Sequence, residues 1–281
     1  MKRQYENLIE YKTFNKWQTF VEYLINNAAA DRVNLYRGEA DPYKWRLIPP
    51  PFRDERKHHV FQDHFLRQTL SDFRRNMVGL GSINPQNLSE DDLWMYGRHF
   101  GLNTPLLDWT FSPYVAAFFA FTQYLLLHEK DKRHIKYVAI YQMWNQFDEV
   151  TGLFIENHKE VLIHDVEKRV HGNFQLLSDA SFFNARQKAQ RGVFTKIKDR
   201  PWIDFVEYVK MIYPNQDKLQ MLKAYLIKAT EAYKALASLM RMNVQHVSLF
   251  PDIHGAVEHA NSAYQIDYAS SAESVIDFRF R

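Results

Sequence analysis

The chain has 281 residues, 46% of them hydrophobic and 15% aromatic, which excludes a disordered segment and allows one large domain or two small ones. A formal net charge of +3 is too small to establish nucleic-acid binding, and a cysteine count of 0 excludes disulfides, thiolate nucleophiles and thiolate metal ligands. Nowhere do about 18 apolar residues run together, and the first residues lead into no apolar run of signal-peptide length, so a cytoplasmic protein with no membrane partner is expected.

From the N-terminus, Trp17 to Ala28 reads as an amphipathic helix with Trp17, Phe20, Val21 and Leu24 on one face. Val33 to Arg37 reads as a short strand ended by Gly38. Asp41-Pro42 and the run Pro49 to Pro51 make a loop, because proline removes a donor and stops a helix. Lys57 to Met77 predicts a long helix, with Val60, Phe61, His64, Phe65 and Leu70 as its buried stripe and Gly79 and Gly81 ending it. Ser89 opens another helix, with Glu90, Asp91 and Asp92 in its first turn and Gly101 as its stop.

The segment from Tyr96 to Ala120 is the densest in the chain. A polar, turn-forming stretch runs into a helix that starts at Ser112, which caps it, and Pro113, whose missing N–H suits the first turn. That helix continues to about Glu129. Asp108, Trp109, Thr110 and Ser112 gather just ahead of it, where free N–H groups and the helix dipole favour an anion. Further on, Lys136 to Met143, Gly192 to Ile197 and Leu222 to Ile227 read as strands. Thr230 is expected to cap a helix reaching about Met242, and Phe250 to Gly255 a turn into a last short helix with Pro251 in its first turn. Asn145 to Ser181 has no clear period. Strands and helices mix without a regular β-α repeat, which predicts a single α+β domain, 1–281, with its core over about 15–262.

Several of these segments carry side chains suited to chemistry. Arg37 at a strand end suits a phosphate or ribose, with Gly38 letting a ligand approach the backbone; the plain alternative is a surface arginine before a turn. The hydroxyls of Thr110 and Ser112 could hold a ligand while Trp109 stacks on a ring. Alternatively the motif is an N-cap beside a buried Trp whose N–H is satisfied by Asp108. Gln190, just before a glycine and a strand, could bond a substrate hydroxyl or the local backbone. His99, at a helix end, suits a structural hydrogen bond better than a base. The nucleotide-binding glycine motifs, the H-E-x-x-H zinc motif and the G-x-S-x-G elbow are all missing from the sequence, and the 12 His residues show no metal-ligand spacing. Basic clusters stand at Arg53, Arg56 and Lys57, at Arg74 and Arg75, at Lys130, Lys132 and Arg133, and at Lys196, Lys198 and Arg200.

Taken in order, these segments resemble the FRG-domain family. The matching residues are Tyr36, Arg37 and Gly38 with Trp45 and the proline run; His99 to Pro113 with Ala116, Ala117 and Phe119; Asn184, Arg186 and Gln190 to Phe194; and Leu249 to Gly255. Arg98 stands where the family usually has Gln, and His254 replaces a frequent Asp. The FRG domain in turn is distantly similar to ADP-ribosyltransferases. That resemblance implies a split mixed sheet with surrounding helices and NAD as ADP-ribose donor, with no metal. It implies a cofactor site of Tyr36, Arg37, Gly38, Trp109, Thr110, Ser112 and Phe119. Arg37 would hold the NAD phosphate or ribose, and Asp108 or Gln190 would position the acceptor or stabilise positive charge at the anomeric carbon. The late Glu of such enzymes is missing, and Gln190 is its best match.

The expected activity is transfer of ADP-ribose to a macromolecule. The basic clusters tilt the acceptor toward nucleic acid, RNA ahead of protein. The resemblance also implies a bacterial toxin or phage-defence effector, which would need an antitoxin protein as partner. Two alternatives use the same residues: a non-catalytic module that binds a nucleotide-like ligand or a protein, and an RNA-binding toxin without NAD chemistry.

Overall fold

The computed structural model describes residues 7–27, 34–44, 47–53, 62–80, 84–144, 174–177, 185–198, 200–212, 222–263 and 266. Expectations for Val33, Trp45, Arg56 to Phe61, Gly81, Asn145 to Asn173 and Asn184 lie outside them. Within them runs a seven-stranded mixed sheet. In chain order its strands are β1 (Glu10–Phe14), β2 (Asn34–Glu39), β3 (Leu107–Thr110), β4 (Tyr137–Trp144), β5 (Phe174–Leu177), β6 (Gly192–Ile197) and β7 (Leu222–Lys228). Across the sheet the order is β1-β7-β4-β2-β3-β6-β5. All neighbours are antiparallel except β1 and β7. This is the expected α+β architecture, with strands far apart in sequence set side by side.

β2 is the hinge of this arrangement. It pairs with β4 over six residues, Asn34 to Glu39, but meets β3 at one pair alone, Tyr36 with Thr110. The sheet therefore opens between β2 and β3 beyond that point. Arg37, Gly38 and Glu39 continue past the junction without a ladder partner on that side. Gly38 does not end the strand, as its sequence suggested; it lies inside β2.

The helices α1 (Trp17–Asn26), α2 (Gln62–Asn76), α3 (Glu90–His99) and α4 (Pro113–Leu126) precede β4. Further helices follow at Ala185–Ala189, Phe205–Ile212, Ala232–Arg241, His246–Leu249 and 253–263. α4 packs on one sheet face through Val115, Ala116, Ala117, Phe118, Ala120 and Phe121, all buried with Tyr36, Ile140 and Tyr225. A Cβ on Gly38 would lie 1.9 Å from the carbonyl oxygen of Ala116. Glycine here lets the α4 backbone sit on β2; it does not clear space for a ligand. On the opposite face Leu35, Leu107, Trp109, Tyr141 and Phe205 form a second cluster.

Helix boundaries follow local chemistry. Ser89 accepts from the Asp92 N–H while Asp92 accepts from the Ser89 N–H, a reciprocal cap, and Gly101 takes φ +86° beyond the end of α3. Ser112 Oγ accepts from Val115 N at 3.3 Å, as its position predicts. α4 stops at Leu126, short of Glu129, and a separate turn of helix covers Glu129–Lys132.

Three expectations are corrected. In α2, His64 and Phe65 are exposed and the apolar side is Leu66 and Leu70, because the packing stripe is offset by a residue. Thr230 caps nothing; the chain passes through a 3-10 turn, and Glu231 instead accepts from Trp17 N at 2.9 Å, closing the start of α1. Pro251 precedes the last helix, where Asp252 takes the cap by accepting from His254 N and Gly255 N.

Candidate functional site

A cavity of about 640 Å³ opens where β2 and β3 diverge, within the range of small-molecule pockets. Its floor is the end of β2 with Asp108 of β3. One wall is a stripe of α4, Ala116, Phe119 and Gln123, spaced to share a helix face. The C-terminal end of α3 supplies Arg98, His99 and Phe100, and the far side comes from Arg186, Gln190, Phe250 and His254.

Charge on the floor is held in a chain of ion pairs. Arg37 donates from Nε to Glu39 Oε1 at 2.8 Å, and its Nη2 lies 2.7 Å from the same oxygen. Arg37 Nη1 donates to the main-chain oxygen of Asp108 at 2.6 Å and stands 3.5 Å from its carboxylate. Arg53 Nη2 donates to the same Glu39 oxygen at 2.7 Å. Glu39 is 0% exposed, and its Oε2 has no hydrogen-bond partner among the described residues. Arg98 grips Asp108 with both Nε (3.0 Å) and Nη2 (2.8 Å). Burial alone would raise the Asp108 pKa; the Arg98 charge and hydrogen bonds, with Arg37, outweigh it and hold the carboxyl well below the usual range. Asp108 in turn raises the Arg98 pKa.

A second clamp closes the far side. Arg186 donates from Nη1 to the carbonyl oxygen of His99 at 2.8 Å and from Nε to Asp252 at 2.5 Å, with its guanidinium 5.3 Å from the Phe250 ring centre. It thereby ties α3, its own short helix and the last helix together. The hydrogen bond from Arg186 holds the Asp252 pKa at about 2. His99 is pushed down to about 4, first by burial and then by the Arg186 charge, so its ring is neutral at pH 7. Its Nε2 is buried with no hydrogen-bond partner among the described residues.

The expected site residues separate into two groups. Tyr36, Arg37, Gly38, Asp108, Trp109, Thr110, Phe119 and Gln190 line the cavity, and Ser112 does not. Gln190 donates from Nε2 to the Leu249 carbonyl oxygen at 3.1 Å, so the late glutamine does stand beside Asp108's cavity. Trp109 does not offer a stacking face. It is 3% exposed, its Nε1 donates to Thr195 Oγ1 at 3.0 Å, and its ring packs edge-on against Phe205. The reason is strand alternation: Asp108 to Thr110 form β3, not a loop, so Asp108 and Trp109 point to opposite faces. Asp108 does not satisfy the Trp109 N–H either. Thr110 spends its hydroxyl on the backbone, donating to the Gln190 carbonyl oxygen at 2.7 Å and accepting from Ser112 N at 3.1 Å. Ser112 caps α4. Both hold the segment, and Thr110 lines the cavity as well.

Residues that sequence reasoning missed are Glu39, Arg53 as its partner, Gln123 and Phe250. Gln123 carried a signal: an amide at the position seven beyond Ala116 in an otherwise apolar helix. Glu39 carried one too, since Arg37 and Glu39 two apart on a strand share a face. Among the described residues no group of three or more His, Cys, Asp or Glu could hold a metal ion.

The fold and site define an α+β domain built around a charged cavity at the opening of a mixed sheet. Residues 32–129 match the model of the FRG domain. That match runs from β2 through α4 and thus takes in Arg37, Glu39, Arg98 and Asp108; Arg186, Gln190 and Phe250 lie beyond it. Comparisons with curated proteins and with solved structures found no significant match.

Proposed function

We propose that the protein is an ADP-ribosyltransferase that binds NAD in the cavity between β2 and β3 and transfers ADP-ribose to a macromolecule, with RNA favoured over protein. The observation that carries this is the pairing of Arg37 and Asp108 at the point where the sheet opens, beside the α4 stripe and Gln190. The cavity volume suits a dinucleotide. Arg37, Arg53 and Arg98 would face the pyrophosphate, while Phe119 and Phe250, whose rings meet edge-to-face at 6.0 Å, would line the place of a flat ring. These two take the part first expected of Trp109.

In the reaction the bond between nicotinamide and ribose breaks, and nicotinamide leaves as a neutral molecule with the electron pair. An acceptor oxygen or nitrogen bonds to the anomeric carbon and releases its proton to water. Positive charge grows on the ribose, and Asp108 with the Gln190 amide would answer it through fixed dipoles and charge. The same reading makes the protein a cytoplasmic toxin or phage-defence effector held by an antitoxin protein.

One observation favours the non-catalytic reading. Asp108 is the carboxylate among the described lining residues, and two arginines already neutralise it. A pocket of that kind can bind a nucleotide-like ligand without activating an acceptor.

The test is incubation with labelled NAD and, separately, RNA, DNA and protein from a lysate, beside Gln190→Ala. Label on RNA with release of nicotinamide, both reduced at least tenfold in the variant, is the expected result. A thermal shift with NAD but no nicotinamide release from any mixture would leave the binding module standing.

A further inference from the structure

Two large apolar side chains stand in water, Phe100 in the cavity lining and Ile253 next to the lining residue His254. Phe100 is 70% exposed and Ile253 is 81% exposed. They flank the Arg186 clamp: Phe100 follows His99, whose carbonyl oxygen Arg186 binds, and Ile253 follows Asp252, whose carboxylate Arg186 binds. Phe100 is not loose. It closes the C-terminal end of α3, its N–H donates to the Gly97 carbonyl oxygen at 3.0 Å, and its ring rests against Tyr96 with centres 5.1 Å apart. One side of the ring is supported while most of its surface is open. An aromatic ring already held at its edge loses little freedom when a second ring stacks on it.

The chain that leads from the Arg186 clamp into β6 is cationic. From Ala185 to Arg191 the chain carries Arg186, Lys188 and Arg191 and no acid, and Lys188 and Arg191 are exposed. Arg191 is held at φ +49° with its carbonyl oxygen accepting from Phe111 N, so the strip is fixed to the edge of β3. Exposed rings beside fixed cations suit an unpaired polynucleotide: phosphates lie along the cations while a base stacks on the ring. An apolar peptide would match Phe100 and Ile253 but not the lysine and arginine strip between β6 and the Arg186 clamp.

We propose that the mouth of the cavity receives an unpaired nucleic-acid strand, with a base stacked on Phe100 and the backbone along Lys188 and Arg191. This rests on the transferase reading for its purpose, since it brings a base to the cavity that would hold NAD, but its test does not need turnover. A fluorescent single-stranded RNA 12-mer of mixed sequence is titrated with the full chain, without NAD, and followed by anisotropy; the same strand annealed to its complement is the control.

Wild type is expected to bind the single strand at least tenfold more tightly than the duplex. Phe100→Ala weakens the single strand about 5- to 150-fold, and Phe100→Trp restores it. Lys188→Gln lowers the slope of log affinity against log salt by about 0.7. Phe100 is exposed, so its variants are expected to keep the wild-type melting temperature, and a melt of each checks this. Equal affinity of Phe100→Ala and wild type, preference for the duplex, or no affinity for either would overturn the proposal. A parallel titration of wild type with NAD separates the two readings: strand binding without NAD binding sinks the donor site alone, and NAD binding without strand binding sinks the acceptor site alone.

Discussion

Arg98 holds Asp108 by both carboxylate oxygens, at 3.0 and 2.8 Å, and so joins the end of α3 to β3 across the cavity floor. Ten residues of chain separate the two, and the fork geometry fixes the carboxylate's plane as well as its position. A glutamine in place of Arg98 could donate to one oxygen only. Arg98→Gln is therefore expected to raise the Asp108 pKa toward the ordinary range while the fold persists. Asp108 is 38% exposed, so water screens the pair and the stability loss should be small, about 1 kcal/mol. A carboxyl-carbon NMR titration of Asp108 measures the first effect and a urea melt the second. An unchanged Asp108 titration would mean that Arg37 alone sets it.

Arg37 looks like the natural residue to delete when testing a phosphate site, but its role beneath the cavity makes that variant ambiguous. Its Nε and Nη2 serve Glu39, which is 0% exposed. Arg37→Ala leaves a buried carboxylate with Arg53 as its remaining partner among the described residues, and a loss of about 3–5 kcal/mol is expected. Arg37→Met with Glu39→Gln removes both charges and should recover most of that loss in a urea melt. If the single variant is as stable as wild type, the chain of ion pairs on the cavity floor is wrong.

What the sequence made legible was local. Ser89, Ser112 and Gly101 mark helix ends through their own side chains or backbone, and Gly192 to Ile197 carries a strand pattern within six residues. What it hid depends on partners far along the chain. β1 has the polar sequence Glu10 to Thr13 and becomes a strand because β7, more than 200 residues later, offers it a parallel edge. The proline and polar residues around Asp108 read as a turn, yet pairing with Val193 and Phe194 makes that stretch β3 and sends Trp109 away from the cavity. Of the site, Arg37, Asp108, Phe119 and Gln190 were visible as residue types. The ion pairs that join them to Glu39, Arg53 and Arg98 were not, since an ion pair is a property of the fold.

Two glycines separate packing from backbone strain. Gly38 has ordinary φ, but a Cβ there would meet the Ala116 carbonyl oxygen at 1.9 Å, and both atoms belong to main chains that cannot rotate away. Gly101 has φ +86° with nothing within 4 Å of a Cβ. Gly38→Ala should push α4 off β2 and cost about 3 kcal/mol or more. Gly101→Ala pays only the left-handed penalty, about 1–2 kcal/mol. Melting temperatures of both variants decide the matter, and a Gly38→Ala protein as stable as wild type would contradict the α4–β2 contact.

His99 makes the fold sensitive to mild acid. Burial and then the Arg186 charge push its pKa down to about 4, with a lesser push from Arg98, and outweigh the upward pulls of Asp108 and Asp252. The unfolded chain protonates His99 near 6.5. Between about pH 6.5 and 4 the unfolded state thus takes up a proton that the folded state refuses, and stability must fall as pH falls through that window. His246, also lowered chiefly by burial, contributes in the same sense. Asp108 and Asp252, both depressed, keep their contributions down to about pH 4, the ordinary range of an unfolded carboxyl, and lose them only below it. His99→Gln should flatten the urea-midpoint profile between about pH 6.5 and 4.5 in part, and His99→Gln with His246→Asn should flatten most of it. A wild-type profile that is level across this window would show that the His99 ring is protonated in the fold, paired with Asp108 or Asp252 in place of their arginines.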